Sequence, residues 1–347
     1  MVYLLVPLLF VIAVALWLFL WSRSLARRAE RMVPRAGQVQ PVRGGAIHYV
    51  EFGNREKPAL VLIHGISGQL QHFTYAMAEK LAEDFHVFAI DRPGCGYSER
   101  EADEDASLFS QARMIGKFMD ARGIESPVVV GHSLGGAVAL AIALERPLKT
   151  KALALLAPLT HVQEEIDPVF KGLELHSPMM RRLVANTIAG PIGKATAGKV
   201  LEHVFAPEAP VPHFMTIGGA ALGLRPRAFV TASCDLVMLE NALPAQVRRY
   251  PELTVPGGVL YGAEDALLSP VVQGRSMKRY NLTYEELPGR GHMLPLTAPD
   301  LCIAFIRKIA GIEDQPLPEE PMAEEIVHPD PVEDEVDAAD QTGQLKR

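Results

Sequence analysis

The stretch Val128-Val129-Val130-Gly131-His132-Ser133-Leu134-Gly135-Gly136 decides how the rest of the chain is read. Three consecutive valines form a wholly apolar, β-branched run, the pattern of a short strand buried on both faces. Gly-x-Ser-x-Gly follows, and the segment Leu134 to Glu145 then continues with the alanine and leucine content of a buried helix. A serine caught between such a strand and such a helix sits on a sharp turn. Its close-packed neighbours leave no room for a Cβ, which is the mechanical reason for the flanking glycines, and Gly136 lets the helix approach the strand. The turn presents Ser133 at the top of the sheet with a helix N-terminus behind it, the setting of a nucleophile elbow.

Further apolar runs bounded by turn signals lie on both sides: Ala59 to Ile63, His86 to Ile90, Ala152 to Leu156 and Gly258 to Tyr261. Helix-period segments separate the early ones, near Gln69 to Ala82, Leu108 to Ala121 and Leu134 to Glu145. Residues 38 to 53 read as a hairpin turning at Gly44-Gly45. This alternation predicts an α/β fold with a mostly parallel central sheet flanked by helices. It breaks between about Leu159 and Tyr250, where helical pieces such as Met179 to Ile188 and Ala195 to Val204 are punctuated by prolines and glycines. Some ninety residues is too long for an ordinary crossover, so a helical cap over the sheet is expected.

The two ends differ from this middle. Val2 to Trp21 is apolar without a charge, long enough as a helix to cross a hydrocarbon core of about 30 Å. Arg23, Arg27, Arg28, Arg31 and Arg35 follow, against Glu30 alone, so the positive-inside bias places the next domain on the cytoplasmic side. No Lys or Arg precedes the run and no small-x-small site follows Trp21, which favours an anchor over a cleaved signal peptide. From residue 312 to 347, twelve carboxylates face only Lys346 and Arg347, giving that tail a net charge of −10 within a total of −7. The expected organisation is a transmembrane anchor at 2–21, a basic linker at 22–37, a catalytic domain at 38–311 and an acidic disordered tail at 312–347. Nothing in the charge pattern suggests nucleic-acid binding. Cys95, Cys234 and Cys302 lack the spacing of a disulfide framework or a zinc site, and neither a clustered His/Cys set nor a Gly-Lys-Ser/Thr loop is present, so no metal and no cofactor is expected.

A serine hydroxyl needs a base to take its proton and a third group to orient that base. Asp265 lies just beyond the strand Gly258 to Gly262, where open α/β sheets build their sites. His292 lies in the glycine-bracketed loop Pro288-Gly289-Arg290-Gly291-His292, after a predicted last strand at Leu282 to Leu287. Glu264 competes with Asp265 for the acid role; Asp265 is preferred because the longer side chain leaves from a different strand-end position. His64-Gly65-Ile66-Ser67-Gly68 follows the strand at Ala59, in the place of a loop that supplies an oxyanion donor. The donors are assigned to the backbone amides of Ile66 and Leu134, with His64 as a loop brace. His132 is expected to turn away from the nucleophile, and His48, His72, His86 and His161, with no acid at the needed spacing, are read as ordinary.

Together these features resemble the α/β-hydrolase superfamily over roughly residues 38 to 310. Asp91-Arg92-Pro93-Gly94-Cys95-Gly96-Tyr97-Ser98 is similar to its Asp-x-Pro-Gly-x-Gly-x-Ser turn, and the anchored, capped layout is similar to its membrane-bound monoacylglycerol lipase type. The resemblance implies a carboxylic ester hydrolase of esterase or lipase type, with Ser133, Asp265 and His292 as catalytic triad and a small-molecule ester, lipid included, as substrate. The aspartate nucleophile of the superfamily's epoxide hydrolases and haloalkane dehalogenases is replaced here by Ser133. Cofactor-free haloperoxidases, carbon–carbon bond hydrolases and non-catalytic binding proteins of the fold stay open as alternatives.

Overall fold

The computed structural model describes residues 2–163 and 165–312; the acidic tail from 313 onward lies outside the described residues. Nine strands form one sheet: β1 Gln38–Val42, β2 Gly45–Phe52, β3 Ala59–Ile63, β4 His86–Ile90, β5 Glu99–Arg100, β6 Val128–His132, β7 Ala152–Leu156, β8 Gly257–Gly262 and β9 Leu282–Leu287. Their order is β1-β2-β4-β3-β6-β7-β8-β9, with the two-residue β5 paired to β2. The tight turn at Arg43-Gly44 makes β1 and β2 antiparallel, β2 meets β4 antiparallel, and every pair from β4 to β9 is parallel. The chain runs from β3 outward to β4 and then returns to β6 on the other side of β3. That reversal opens a crevice beyond the C-terminal ends of β3 and β6, where the connections must diverge. The loops carrying Ile66 and Ser133 are therefore neighbours by topology, and Ile63 pairs with Gly131 just before them.

The centre of the sheet is dry. Every residue of β6 and β7 is buried, as is the helix Leu134–Glu145 from Leu134 to Leu144, so this helix has no polar face to show in its sequence. The helix Leu108–Arg122 is amphipathic; Ser107 caps its start by accepting from Ser110 N at 3.3 Å, and Gly123 ends it at φ 66°. Gln69 to Ala82, expected as one helix, forms two short turns, Gln71–Thr74 and Ala78–Leu81. Phe73, Met77 and Leu81 all face the core, so the four-residue spacing that suggests one helix is kept across a break at Met77.

The cap is helical, with Pro178–Val184 continuing through a wide turn at Ala185–Ala189 into Gly190–Phe205, and the long return helix Pro226–Val247. One expectation needs correction. The N-terminal helix does not end near Trp21 but runs from Val2 to Met32, so most of the segment read as a basic linker is helical. Ser22, Leu25, Ala29 and Val33 are buried, a helical stripe between the arginines. Ala29 and Val33 pack on Ala221 and Leu222 of the cap, and Ser22 Oγ donates to the Ala185 carbonyl at 3.4 Å. The arginine cluster drew the reading toward a linker and hid this stripe.

The closest approach of strand, helix and loop is at Gly135, where a Cβ would lie 2.1 Å from the Ile63 carbonyl oxygen. The His64 carbonyl oxygen would lie 2.5 Å from the same Cβ, and both oxygens belong to backbone in the middle of the fold, so neither can yield. Gly135→Ala should cost roughly 3 kcal/mol or more in urea denaturation. Gly198→Ala, in a cap helix with open space at its Cβ, should instead stabilise by up to about 1 kcal/mol.

Candidate active site

Ser133 has φ 55° and ψ −123°, a conformation that a side-chain-bearing residue holds only when its neighbours enforce it. Three backbone hydrogen bonds do so: Ser133 N donates to Leu156 O at 3.1 Å, and its carbonyl accepts from Gly136 N at 2.8 Å and Leu159 N at 2.9 Å. The glycines around it admit no side chain, since a Cβ on Gly131 would lie 2.4 Å from Gly135 O and one on Gly136 would lie 2.4 Å from Pro158 Cβ. Gly65, of the loop after β3, faces the serine so closely that a Cβ there would lie 3.3 Å from Ser133 Oγ. Leu134 opens the following helix, whose first N–H groups have no partner within the helix.

Asp265 and His292 come together from the ends of β8 and β9. His292 Nδ1 lies 2.7 Å from Asp265 Oδ2, and Asp265 Oδ1 accepts from Leu267 N at 2.9 Å and Leu268 N at 3.0 Å. The backbone fixes one carboxylate oxygen and thereby aims the other at the imidazole. With Nδ1 donating to Asp265, Nε2 is the nitrogen left to accept a proton. Glu264, the competing acid, is exposed, and the structure brings Asp265 to His292. The cap also holds the His292 loop: Glu208 Oε2 accepts from Gly291 N at 2.8 Å, Glu208 Oε1 pairs with Arg290 at 3.2 Å, and a Cβ on Gly291 would meet Ala206 O at 2.1 Å.

Other histidines depart from their sequence reading. His132 does not simply turn away: its Nε2 donates to the His292 carbonyl at 3.0 Å, and the two rings are 5.0 Å apart. Burial, then the His292 ring, holds His132 well below the usual histidine range. This bond ties the residue before the serine to the histidine loop. His48, read as lacking an acid, bonds Asp91 Oδ2 through Nδ1 at 2.6 Å, while its Nε2 meets the Ala36 carbonyl. Both ring nitrogens are therefore engaged. Asp91 also accepts from Leu70 N and Tyr97 N, each at 2.8 Å, so the Asp-x-Pro-Gly turn is a structural hub.

His64 is a brace, as its loop position suggests: Nδ1 donates to Gly65 O at 2.8 Å and Nε2 accepts from Arg92 N at 2.9 Å. Burial and then the Arg92 charge hold it well below the usual histidine range, hence neutral. His72 is buried between His64 and Phe214 of the cap, and burial pushes it down to about 4. The largest omission of the sequence reading is Arg92, fully buried, with Asp235 beneath it. An arginine inside a glycine- and proline-rich turn looks solvated, and only the fold shows what it touches. Glu174, His176 and Glu240 meet on the exposed cap surface with ligand-type atoms within 4.8 Å. His176 is already paired to Glu240 at 3.5 Å and all three are solvated, so this is a surface charge cluster.

Comparison with known proteins agrees with this architecture. The family model of the alpha/beta hydrolase fold matches residues 58–215. A dihydrolipoyllysine-residue acetyltransferase component of an acetoin cleaving system from Cupriavidus necator is 35% identical over 129 residues, a match spanning 37% of this chain and 34% of that protein. Haloalkane dehalogenase 2 of Mycobacterium tuberculosis is 26% identical over 272 residues, 76% of this chain and 90% of that one. Among solved structures, a membrane phospholipase A, a bacterial virulence factor, superposes with a TM-score of 0.59 at 21% identity, over 90% of this chain and 98% of its own. The chain has the α/β-hydrolase fold, and its residues 58–215 match the model of that family.

Proposed function

We propose that the protein is a serine hydrolase that cleaves a carboxylic ester through an acyl-enzyme intermediate. The observation that carries this reading is the His292–Asp265 bond at 2.7 Å, at the same end of the sheet as the strained Ser133. In this mechanism Ser133 Oγ attacks the ester carbonyl while His292 Nε2 takes its proton. Asp265 keeps the imidazole in the tautomer that has Nε2 free and stabilises the cation that forms. The carbonyl oxygen gains negative charge and is met by the N–H groups of Ile66 and Leu134. His292 returns the proton to the departing alcohol, and water repeats the sequence to release the acid. The dehalogenase relative shares the fold, but its class uses a carboxylate nucleophile where this chain has Ser133.

A lipophilic acyl substrate at a membrane is the more specific part of the proposal. Residues 6 to 21 of the N-terminal helix are apolar and mostly exposed, and the arginines that follow favour a cytoplasmic catalytic domain. The apolar cap residues divide into two groups. Phe205 and Phe214 pack against Met293 and Leu296 and so join the cap to the domain. Met179, Met180 and Leu183 stay exposed, a surface that suits a lipid-rich setting.

With p-nitrophenyl esters of increasing chain length, wild type should turn over, while Ser133→Ala and His292→Ala each lose about 10⁴-fold or more in kcat, and Asp265→Asn roughly 10²- to 10⁴-fold. A folded wild type inert toward the whole series, or a Ser133→Ala variant of undiminished rate, would refute the ester reading. Deleting residues 2–21 should shift the protein from the membrane to the soluble fraction with its ester turnover retained, since Ser22 to Met32 still dock on the cap; persistence in the membrane fraction would refute the anchor.

A further inference from the structure

Arg92 is fully buried and makes five hydrogen bonds, four of them from its guanidinium. Its Nε donates to His64 O at 2.9 Å and one terminal nitrogen donates to Gly65 O at 2.9 Å. The other terminal nitrogen meets Gln111 Oε1 at 2.9 Å and Asp235 Oδ2 at 2.7 Å, and the backbone N–H of Arg92 bonds His64 Nε2 at 2.9 Å. Asp235, itself buried, lies on the cap helix Pro226–Val247, and its second oxygen accepts from Arg100 at 2.8 Å. A carboxylate of the cap thus supplies the charge that lets an arginine sit inside the domain, and that arginine grips two successive carbonyls of the loop after β3.

The consequence lies in the peptide plane. The Gly65 carbonyl and the Ile66 N–H belong to one trans peptide unit, so they point in opposite directions. By holding Gly65 O, aided by His64 Nδ1 at 2.8 Å and Gly68 N at 3.3 Å, Arg92 turns the Ile66 N–H the other way. Gly65 also packs against the Ser133 side chain, so this plane lies beside the proposed nucleophile. The guanidinium binds His64 O through Nε and Gly65 O through one terminal nitrogen, and its other end is fixed by Asp235, so the direction of this peptide is set from a rigid group. We propose that Asp235 and Arg92 are positioning residues, through which the cap sets the orientation of the Ile66 oxyanion donor.

This rests on the ester-hydrolase reading, and its test separates the two. Asp235→Asn and Arg92→Lys in the full-length protein should lower kcat for p-nitrophenyl butyrate by about 10- to 100-fold with KM within about 3-fold, since the misdirected donor serves an oxyanion that develops only in the transition state. The Ki of butylboronic acid, which forms a tetrahedral adduct on a nucleophilic serine, should rise by a similar factor. Asp235→Asn leaves the buried Arg92 and Arg100 guanidinium groups without their carboxylate and loses stability, whereas Arg92→Lys keeps the charge and loses the fork. The triple variant Arg92→Met/Arg100→Met/Asp235→Asn removes all three buried charges of the cluster; it should regain thermal stability and remain slow. Recovery of rate together with stability, or an unchanged boronate Ki in a folded single variant, would overturn the proposal alone. A folded wild type that neither hydrolyses the ester nor binds the boronate would overturn the ester reading and this inference with it.

Discussion

At Ser133 the backbone must leave β6 and enter a helix within one residue, at φ 55° and ψ −123°. Everything near the site is arranged around that constraint. Glycines at 131, 135 and 136 let the strand, the helix and the segment after β7 close to distances that any side chain would forbid. The Ser133 carbonyl and amide are tied to Gly136, Leu159 and Leu156, so relaxing the turn would break the contacts between β6, β7 and the buried helix. Strain at one residue is thus sustained by the most apolar part of the sheet.

The rest of the site is assembled by loops that pin one another. The Asp91 carboxylate gathers His48, Leu70 and Tyr97, and the next residue, Arg92, reaches across to the loop that faces the serine. On the other side, His132 bonds the carbonyl of His292 and Glu208 bonds the amide just before it. The cap therefore enters the site twice, with Asp235 behind one loop and Glu208 behind the other. It acts as part of the scaffold as well as a cover. Buried charge is costly unless fully paired, and both carboxylates lie where a backbone N–H or a guanidinium requires an acceptor.

How much of this was legible in the sequence depends on the range of the interaction. β3, β4, β6, β7 and β8 announce themselves as apolar runs between turn residues, because they are buried on both faces and have nothing else to encode. The serine turn is equally plain, since its glycines are needed within five residues of one another. Asp265 and His292 were found from position at strand ends, although nothing local distinguishes Asp265 from Glu264; only the fold brings one of them to the imidazole. Arg92, Asp235 and Glu208 had no local signature, because their partners lie 19 to 143 residues away. The stripe of Ser22, Leu25, Ala29 and Val33 was present but outweighed by the arginines between, and the pairing of His48 with Asp91 depends on β2 lying beside β4.

The central claim is that Ser133 is activated for acyl transfer, and the most direct measurement is covalent labelling with a fluorophosphonate followed by mass spectrometry of the modified peptide. The account predicts one adduct, on the peptide carrying Ser133, formed in the wild type and absent from a folded Ser133→Ala variant. A folded wild type that takes no label from a probe small enough to pass the cap, or an adduct on another residue that persists in Ser133→Ala, would contradict it.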